Sequence, residues 1–84
     1  MNGIEVQREI YRTTLTGYLK WTDKLKRSYG WKPGEQFDQI SLSNRDYDLC
    51  IQGTTKLRAM EEILGLTEKE INDVEQQILK EINS

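Results

Sequence analysis

The pattern of apolar and polar positions predicts three helices, near residues 4–29, 43–64 and 67–83. In the first segment, apolar residues recur at three-, four- and seven-residue spacings, which places them along one face of a helix. These residues are Ile4, Tyr11, Leu15, Tyr18, Leu25 and Tyr29. Gly30 is expected to end this helix, because glycine adopts the left-handed backbone conformation without steric cost.

The middle of the first helix is the weakest part of this prediction. Thr13, Thr14 and Thr16 favour extended backbone, and Gly17 costs about 1 kcal/mol inside a helix. A short strand over residues 11–18 is therefore the alternative to an uninterrupted helix there.

The connection between the first two helices begins with a strong helix breaker, since Pro33 and Gly34 predict a turn. It also carries Trp31, Phe37 and Ile40, which are large apolar side chains that a solvated linker would waste. We therefore predict that this aromatic-rich connection folds back over one end of the core.

The second helix is expected to begin at Ser43, whose hydroxyl accepts a backbone N–H of the first turn, with Asp46 at the positive end of the helix dipole. Gly53 weakens its middle and is expected to allow the close approach of another helix. Its apolar residues cover a wide arc, which is typical of a helix packed between two neighbours. This arc consists of Leu49, Cys50, Leu57, Met60, Ile63 and Leu64.

The boundary before the third helix is the clearest local signal in the chain. Gly65 ends the second helix, and Thr67 and Glu70 have the spacing of a capping box, with Leu66 placed to pack on Ile71. The apolar residues of the third helix then form one narrow stripe, which is typical of the seam between two helices. The stripe consists of Ile71, Val74, Ile78 and Ile82.

These elements predict an all-α fold, a small three-helix bundle in which residues 1–84 form a single domain. A chain of this size buries only about 60–65% of its unfolded surface, so association with a partner is a common source of further stability. The chain has one cysteine and hence no internal disulfide, and neither a signal peptide nor an apolar run long enough to span a membrane is visible. Cytoplasmic residence is the expectation.

Charge is distributed unevenly along the chain. The formal net charge is −2, but residues 1–34 carry +4 and residues 35–84 carry −6. Such segregation indicates either two parts that neutralise each other or a surface that contacts a charged partner.

The chain offers little that could carry catalysis. It has no histidine, which removes the most common general base and the most common transition-metal ligand. Cys50 has no base near it in sequence and is predicted to be a core residue and not a nucleophile. We therefore predict that the protein is not an enzyme and uses no cofactor, metal or small-molecule substrate.

The function that remains is the binding of another macromolecule, most plausibly a protein. Compact, histidine-free chains of this size are common among phage or mobile-element accessory proteins, which regulate or inhibit host machinery. The apolar stripe of the third helix would then form a homodimer or partner seam, so that Ile78→Asp separates the chains without unfolding them. The acidic residues beside the stripe would face a basic groove of the partner; they are Glu68, Asp73 and Glu75.

Two alternatives remain open. The basic and aromatic residues near the end of the first helix are candidates for contacts with phosphates and bases of a nucleic acid. They are Lys20, Trp21, Lys24, Arg27, Trp31 and Lys32. An isoelectric point near 5.1 argues against this hypothesis. The other alternative is a structural subunit whose apolar stripe is buried only in a larger assembly.

Overall fold

The computed structural model describes residues 3–32 and 41–83, which form three helices and no strand. Helix α1 spans Gly3–Ser28, α2 spans Asn44–Leu64 and α3 spans Glu68–Asn83. The prediction of a small all-α three-helix fold is confirmed, and each described helix begins and ends within one residue of its predicted bounds. None of these three helices combines the length and hydropathy that crossing a lipid bilayer requires.

Residues 11–18 are helical, so the strand alternative is wrong. The hydroxyls of Thr14 and Thr16 each donate a 2.7 Å hydrogen bond to the backbone carbonyl four residues earlier, which is compatible with a helix. Tyr11 and Leu15, in the same stretch of helix, are buried. Burial of this apolar face outweighs the low helix propensity of the threonines, because propensity is a weaker effect than packing.

The predicted ends of α1 and α2 are confirmed in detail. Gly30 has φ +78°, and the N–H of Trp31 donates to the carbonyl of Lys26 at 2.9 Å, which closes the last turn of α1. Ser43 has extended backbone, and its hydroxyl accepts the N–H of Asp46 at 3.2 Å. Local hydrogen bonds that the sequence specifies therefore close the end of α1 and form the start of α2.

The junction between α2 and α3 also follows the sequence. Gly65 has φ +65° and ends α2. The N–H of Glu70 donates to the hydroxyl of Thr67, and the N–H of Thr67 donates to the carboxylate of Glu70, both at 3.2 Å. The backbone N–H and the hydroxyl of Thr67 both donate to the carboxylate of Glu70, and these two hydrogen bonds lower its pKa because they favour the charged form.

The core forms where the apolar faces of the three helices meet. Its buried cluster consists of Tyr11, Leu15, Leu57 and Ile78. The central helix is α1, which contacts both α2 and α3 extensively. Helix α2 packs mainly on α1, and its Leu57 also joins Ile78 of α3 in the core cluster. Part of the wide apolar arc of α2, including Leu49 and Ile63, is exposed.

The close approach expected at Gly53 is present. The ring of Tyr18 packs on this glycine so tightly that a Cβ there would lie 2.5 Å from Cε2 of the ring. Cys50 is fully buried beside Tyr18, and burial raises the pKa of its thiol. Burial, and then the neighbouring Cys50, raise the pKa of Tyr18 to about 12. Gly53 thus lets α1 and α2 come together along their middle turns.

Tyr29 connects the end of α1 to the start of α2. Its hydroxyl donates to the carboxylate of Asp46 at 2.7 Å and accepts the backbone N–H of Ser43 at 2.9 Å. The ring of Trp31 lies against it, with ring centres 5.7 Å apart, and Trp31 is half-buried. Phe37, with the rest of residues 33–40, lies outside the described residues, so the predicted aromatic cover is not described beyond Trp31.

Candidate interaction surface

An apolar groove lies between the N-terminal half of α1 and the C-terminal half of α2. It has a volume of about 220 Å³. Its lining residues come from α1 and α2 only; they are Gln7, Ile10, Met60, Ile63 and Leu64. Ile63 is 71% exposed and Ile10 is 49% exposed, although both are large and apolar. We call this feature the α1–α2 groove.

Helical spacing extends the α1–α2 groove into a longer apolar face. Val6 lies one turn before Ile10 on the same side of α1, and it is also exposed. Leu49 lies three turns before Met60 on the same side of α2, and it too is exposed. Several exposed apolar residues therefore share one side of the α1–α2 pair.

The lining of the α1–α2 groove determines what it can bind. None of its five lining residues is titratable, and Gln7 is the only one with a polar side chain. Such a lining has no group that transfers a proton or attacks a bond. It is suited to apolar side chains of a partner, since contiguous exposed apolar surface is a common feature of interaction sites.

A cluster of polar groups lies on the inner side of α2. The hydroxyl of Tyr11 donates to the carboxylate of Glu61 at 2.9 Å, and both burial and this carboxylate raise the pKa of Tyr11. Glu75 of α3 and Arg58 of α2 line the same cavity of about 200 Å³ as Glu61. Burial raises the pKa of Glu75, and the nearby negative charge of Glu61 raises it further. This cluster brings polar side chains of α1, α2 and α3 together.

The raised pKa of Glu75 has a consequence for stability. A carboxyl group that binds its proton more tightly in the folded than in the unfolded state stabilises the fold at low pH. This stabilisation is lost as the pH rises through the pKa of the group in the folded state. We therefore expect Glu75→Gln to raise the melting temperature at neutral pH, with a gain below about 1 kcal/mol because the group is partly solvated. Thermal unfolding at neutral and acidic pH tests this, since the gain should vanish in acid. A lower melting temperature of the variant at neutral pH would show that the carboxylate stabilises the fold.

The apolar stripe of α3 faces the rest of its own chain. Ile78 is 0% exposed and belongs to the core cluster, and Val74 and Ile82 pack against that cluster. Ile71 is half-buried. The expected seam with a second chain is therefore corrected: the partners of this stripe are α1 and α2, whose apolar faces complete the core.

The acidic candidates on α3 do not form one free surface. Glu68 and Asp73 are exposed, whereas Glu75 is half-buried in the cluster described above. Near the end of α3, the guanidinium of Arg12 pairs with the carboxylate of Glu81 at 3.0 Å. Some of the segregated charge is thus balanced within the chain, between α1 and α3.

The basic candidates of α1 are exposed, whereas its aromatic candidate is not. Lys20 and Lys24 are exposed on α1. Trp21, next to them in sequence, is half-buried, and its ring centre lies 6.0 Å from that of Tyr18. Its ring is therefore engaged within the protein and is not presented as an isolated platform for a base.

The other three nucleic-acid candidates lie together near the ends of α1 and α3. Arg27, Trp31 and Lys32 line a groove of about 200 Å³ with residues that include Leu79. Arg27 is already paired with Asp23, at 3.0 Å. The structure therefore brings half of the six candidates to one groove, where an acidic side chain offsets part of their charge.

The α1–α2 groove is the surface that the sequence analysis missed. Ile10 lies outside the apolar stripe of the first helix, and this isolated position was the available signal. The sequence places Met60 and Ile63 in the wide apolar arc of the second helix, and spacing alone does not show how much of such an arc is covered. The exposed part of that arc becomes visible only when the helices are packed.

Comparison of the chain with protein-family models, with curated proteins and with solved structures finds no match. Among the residues that the structure describes, no group of three or more histidine, cysteine, aspartate or glutamate side chains is placed to hold a metal ion. The surface chemistry of the described helices is therefore the basis for a functional proposal.

Proposed function

We propose that this protein is a non-catalytic interaction module that regulates or tethers another protein by binding it through the α1–α2 groove. The observation that carries this proposal is the exposure of Ile63, at 71%, beside Ile10 in a groove without charged lining residues. An apolar surface of this kind gains free energy when a partner removes it from water.

The energetic argument concerns the two isoleucines. Complete burial of one such side chain contributes about 1.5–3 kcal/mol relative to full exposure. Ile10 and Ile63 are side chains of this class, and both remain largely open to water in the isolated chain. Clustered apolar residues at the centre of an interface, surrounded by polar ones, are the usual source of binding energy between proteins.

The nucleic-acid hypothesis has weaker support. Binding of phosphates requires cations that converge on one surface, and stacking of bases requires accessible rings. Lys20 and Lys24 are not among the residues that line the groove with Trp31, and the rings of Trp21 and Trp31 each lie against a tyrosine. A protein partner is therefore the proposal, and nucleic-acid binding is an outcome of its test.

Site-specific photocrosslinking in extracts of the source cells tests the proposed function. A photoreactive residue replaces Gln7 in the α1–α2 groove or, as the matched control, Gln76, which is exposed on α3. We expect a protein to crosslink from position 7 and not from position 76, and Ile63→Asp to abolish the crosslink. Equal crosslinking from both positions would contradict the proposal. Crosslinking to nucleic acid, sensitive to salt, would replace it with the alternative.

A further inference from the structure

We infer that a second groove, between the C-terminal ends of α1 and α3, binds the phosphate group of a phosphorylated side chain on a partner protein. This groove has a volume of about 200 Å³. We call it the basic groove, because Lys26, Arg27 and Lys32 are among its lining residues. It is a separate site from the α1–α2 groove, since Arg27 lies about 25 Å along α1 from Ile10.

The basic groove carries more positive than negative charge. Three of its lining side chains are cations, one, Asp23, is a carboxylate, and the others are uncharged, so its formal charge is +2. The C-terminal ends of α1 and α3 each add a partial charge of about −0.5. An excess of about one positive charge remains, although the whole chain has a formal net charge of −2. The ligand that suits this groove is therefore an anion.

Arg27 is held in place and still has donors for an anion. Its Nη2 atom lies 3.0 Å from a carboxylate oxygen of Asp23, one turn earlier on α1. This ion pair engages one terminal nitrogen of a guanidinium group that has five N–H donors. The side chain of Arg27 is 68% exposed, so a ligand has access to the other donors. A guanidinium held in this way matches the oxygens of a phosphate in geometry and charge.

The number of cations favours a phosphate over a carboxylate. A phosphate monoester has three terminal oxygens and a charge of about −1.5 to −2 at neutral pH. A carboxylate has only two oxygens and a single negative charge. Lys26 and Lys32 add ammonium donors beside Arg27 in the lining. Three cationic side chains therefore match the three oxygens of a phosphate.

The size and the walls of the basic groove favour a side chain over a nucleotide or a free phosphate. Sites for small molecules usually have volumes of about 300–1,000 Å³, and the basic groove is smaller. Trp31 and Leu79, both half-buried, add apolar surface to its lining. This surface would contact the carbon atoms that carry the phosphate, which a free phosphate lacks. A phosphorylated serine or threonine provides both the anion and a short apolar stem.

Titration of the ¹⁵N-labelled full chain, followed by NMR, tests this inference. The probe is N-acetyl phosphothreonine amide, added up to about 10 mM at constant ionic strength, because a single ionic contact binds weakly. We expect a saturable shift of the indole N–H signal of Trp31. The signal of Trp21, the other tryptophan of the chain, should stay in place because Trp21 does not line the basic groove. The same threonine amide without phosphate should shift neither signal.

Three variants compare equal losses of charge inside and outside the basic groove. Arg27→Gln and Lys32→Gln are each expected to weaken binding by at least about fivefold, since each removes a charged donor to the phosphate. The matched control is Lys20→Gln, because Lys20 is exposed on α1 and does not line the basic groove. It should change the affinity by less than about twofold. All three side chains are exposed, so the circular dichroism of the variants should be that of the wild type.

Four results would overturn the inference. Two are the absence of a saturable shift at Trp31 and an equal weakening of binding by Lys20→Gln and Arg27→Gln. Inorganic phosphate that binds as tightly as the phosphothreonine probe would show a site for a free anion. Adenosine monophosphate that binds more tightly than the probe would show a nucleotide site. The crosslink from position 7 reports on the α1–α2 groove alone, so the proposed function stands or fails independently.

Discussion

Ile78→Asp is expected to unfold the protein and not merely to separate it from a partner. Ile78 is 0% exposed and packs with Tyr11, Leu15 and Leu57 from both other helices. Truncating such a residue to alanine already costs about 2–5 kcal/mol. An unpaired carboxylate at the same place costs more, since burial of a charge is unfavourable without a partner. A domain of this length has a total stability of about 4–13 kcal/mol, so the substitution removes most or all of it.

Far-UV circular dichroism and urea unfolding measure this effect directly. The variant should show little helical signal without denaturant, whereas Ile63→Asp, the same exchange at an exposed position, should retain the wild-type spectrum. A monomeric Ile78→Asp protein with wild-type helicity and unfolding midpoint would contradict the packing. It would restore the stripe of α3 as an external seam.

The boundaries of the helices could be predicted because their causes are local. Gly65 closes α2 and the Thr67–Glu70 pair opens α3 through hydrogen bonds between residues only a few positions apart. Tyr18 and Gly53 are a partial case, because the glycine predicted a close approach but not which side chain would occupy it. Capping therefore depends on sequence alone, whereas contacts between helices depend on how they are arranged in space.

The role of the α3 stripe could not be derived from its spacing. A narrow apolar stripe shows that one helix face must be covered, but Ile78 finds the same chemical cover in its own chain or in another. Which of these holds depends on whether α1 and α2 leave room for it. The same reason explains why Ile63, part of one apolar arc with Leu57, is exposed whereas Leu57 is buried.

Charge segregation was a second signal that spacing could not resolve. The Arg12–Glu81 pair joins residues from opposite ends of the chain, and only the side-by-side packing of α1 and α3 brings them together. An exposed pair of this kind contributes less than about 1 kcal/mol. Part of the charge of α1 is thus neutralised by α3 within the chain, but this ion pair contributes too little free energy to determine the fold.

Gly53→Ala is expected to destabilise the protein, although alanine is the better helix former. The exchange gains about 1 kcal/mol of helix propensity. The new methyl group, however, would lie 2.5 Å from Cε2 and 2.7 Å from Cδ2 of Tyr18, far inside van der Waals contact. Relief of that overlap costs about 1–3 kcal/mol, since the half-buried ring already packs against α2. We therefore expect a net loss of stability and a lower urea midpoint.

The matched control is Gly17→Ala, because Gly17 is also inside a helix and no atom outside its own helix backbone and its chain neighbours lies within 4 Å of its Cβ position. This substitution should stabilise the protein by about 1 kcal/mol, or about 4–8 °C in melting temperature. The opposite signs separate the packing effect at Gly53 from the propensity effect that both share. In a Tyr18→Leu background, which lacks the ring, Gly53→Ala should lose most of its cost. An equal gain from both alanines would show that α1 does not approach α2 at Gly53.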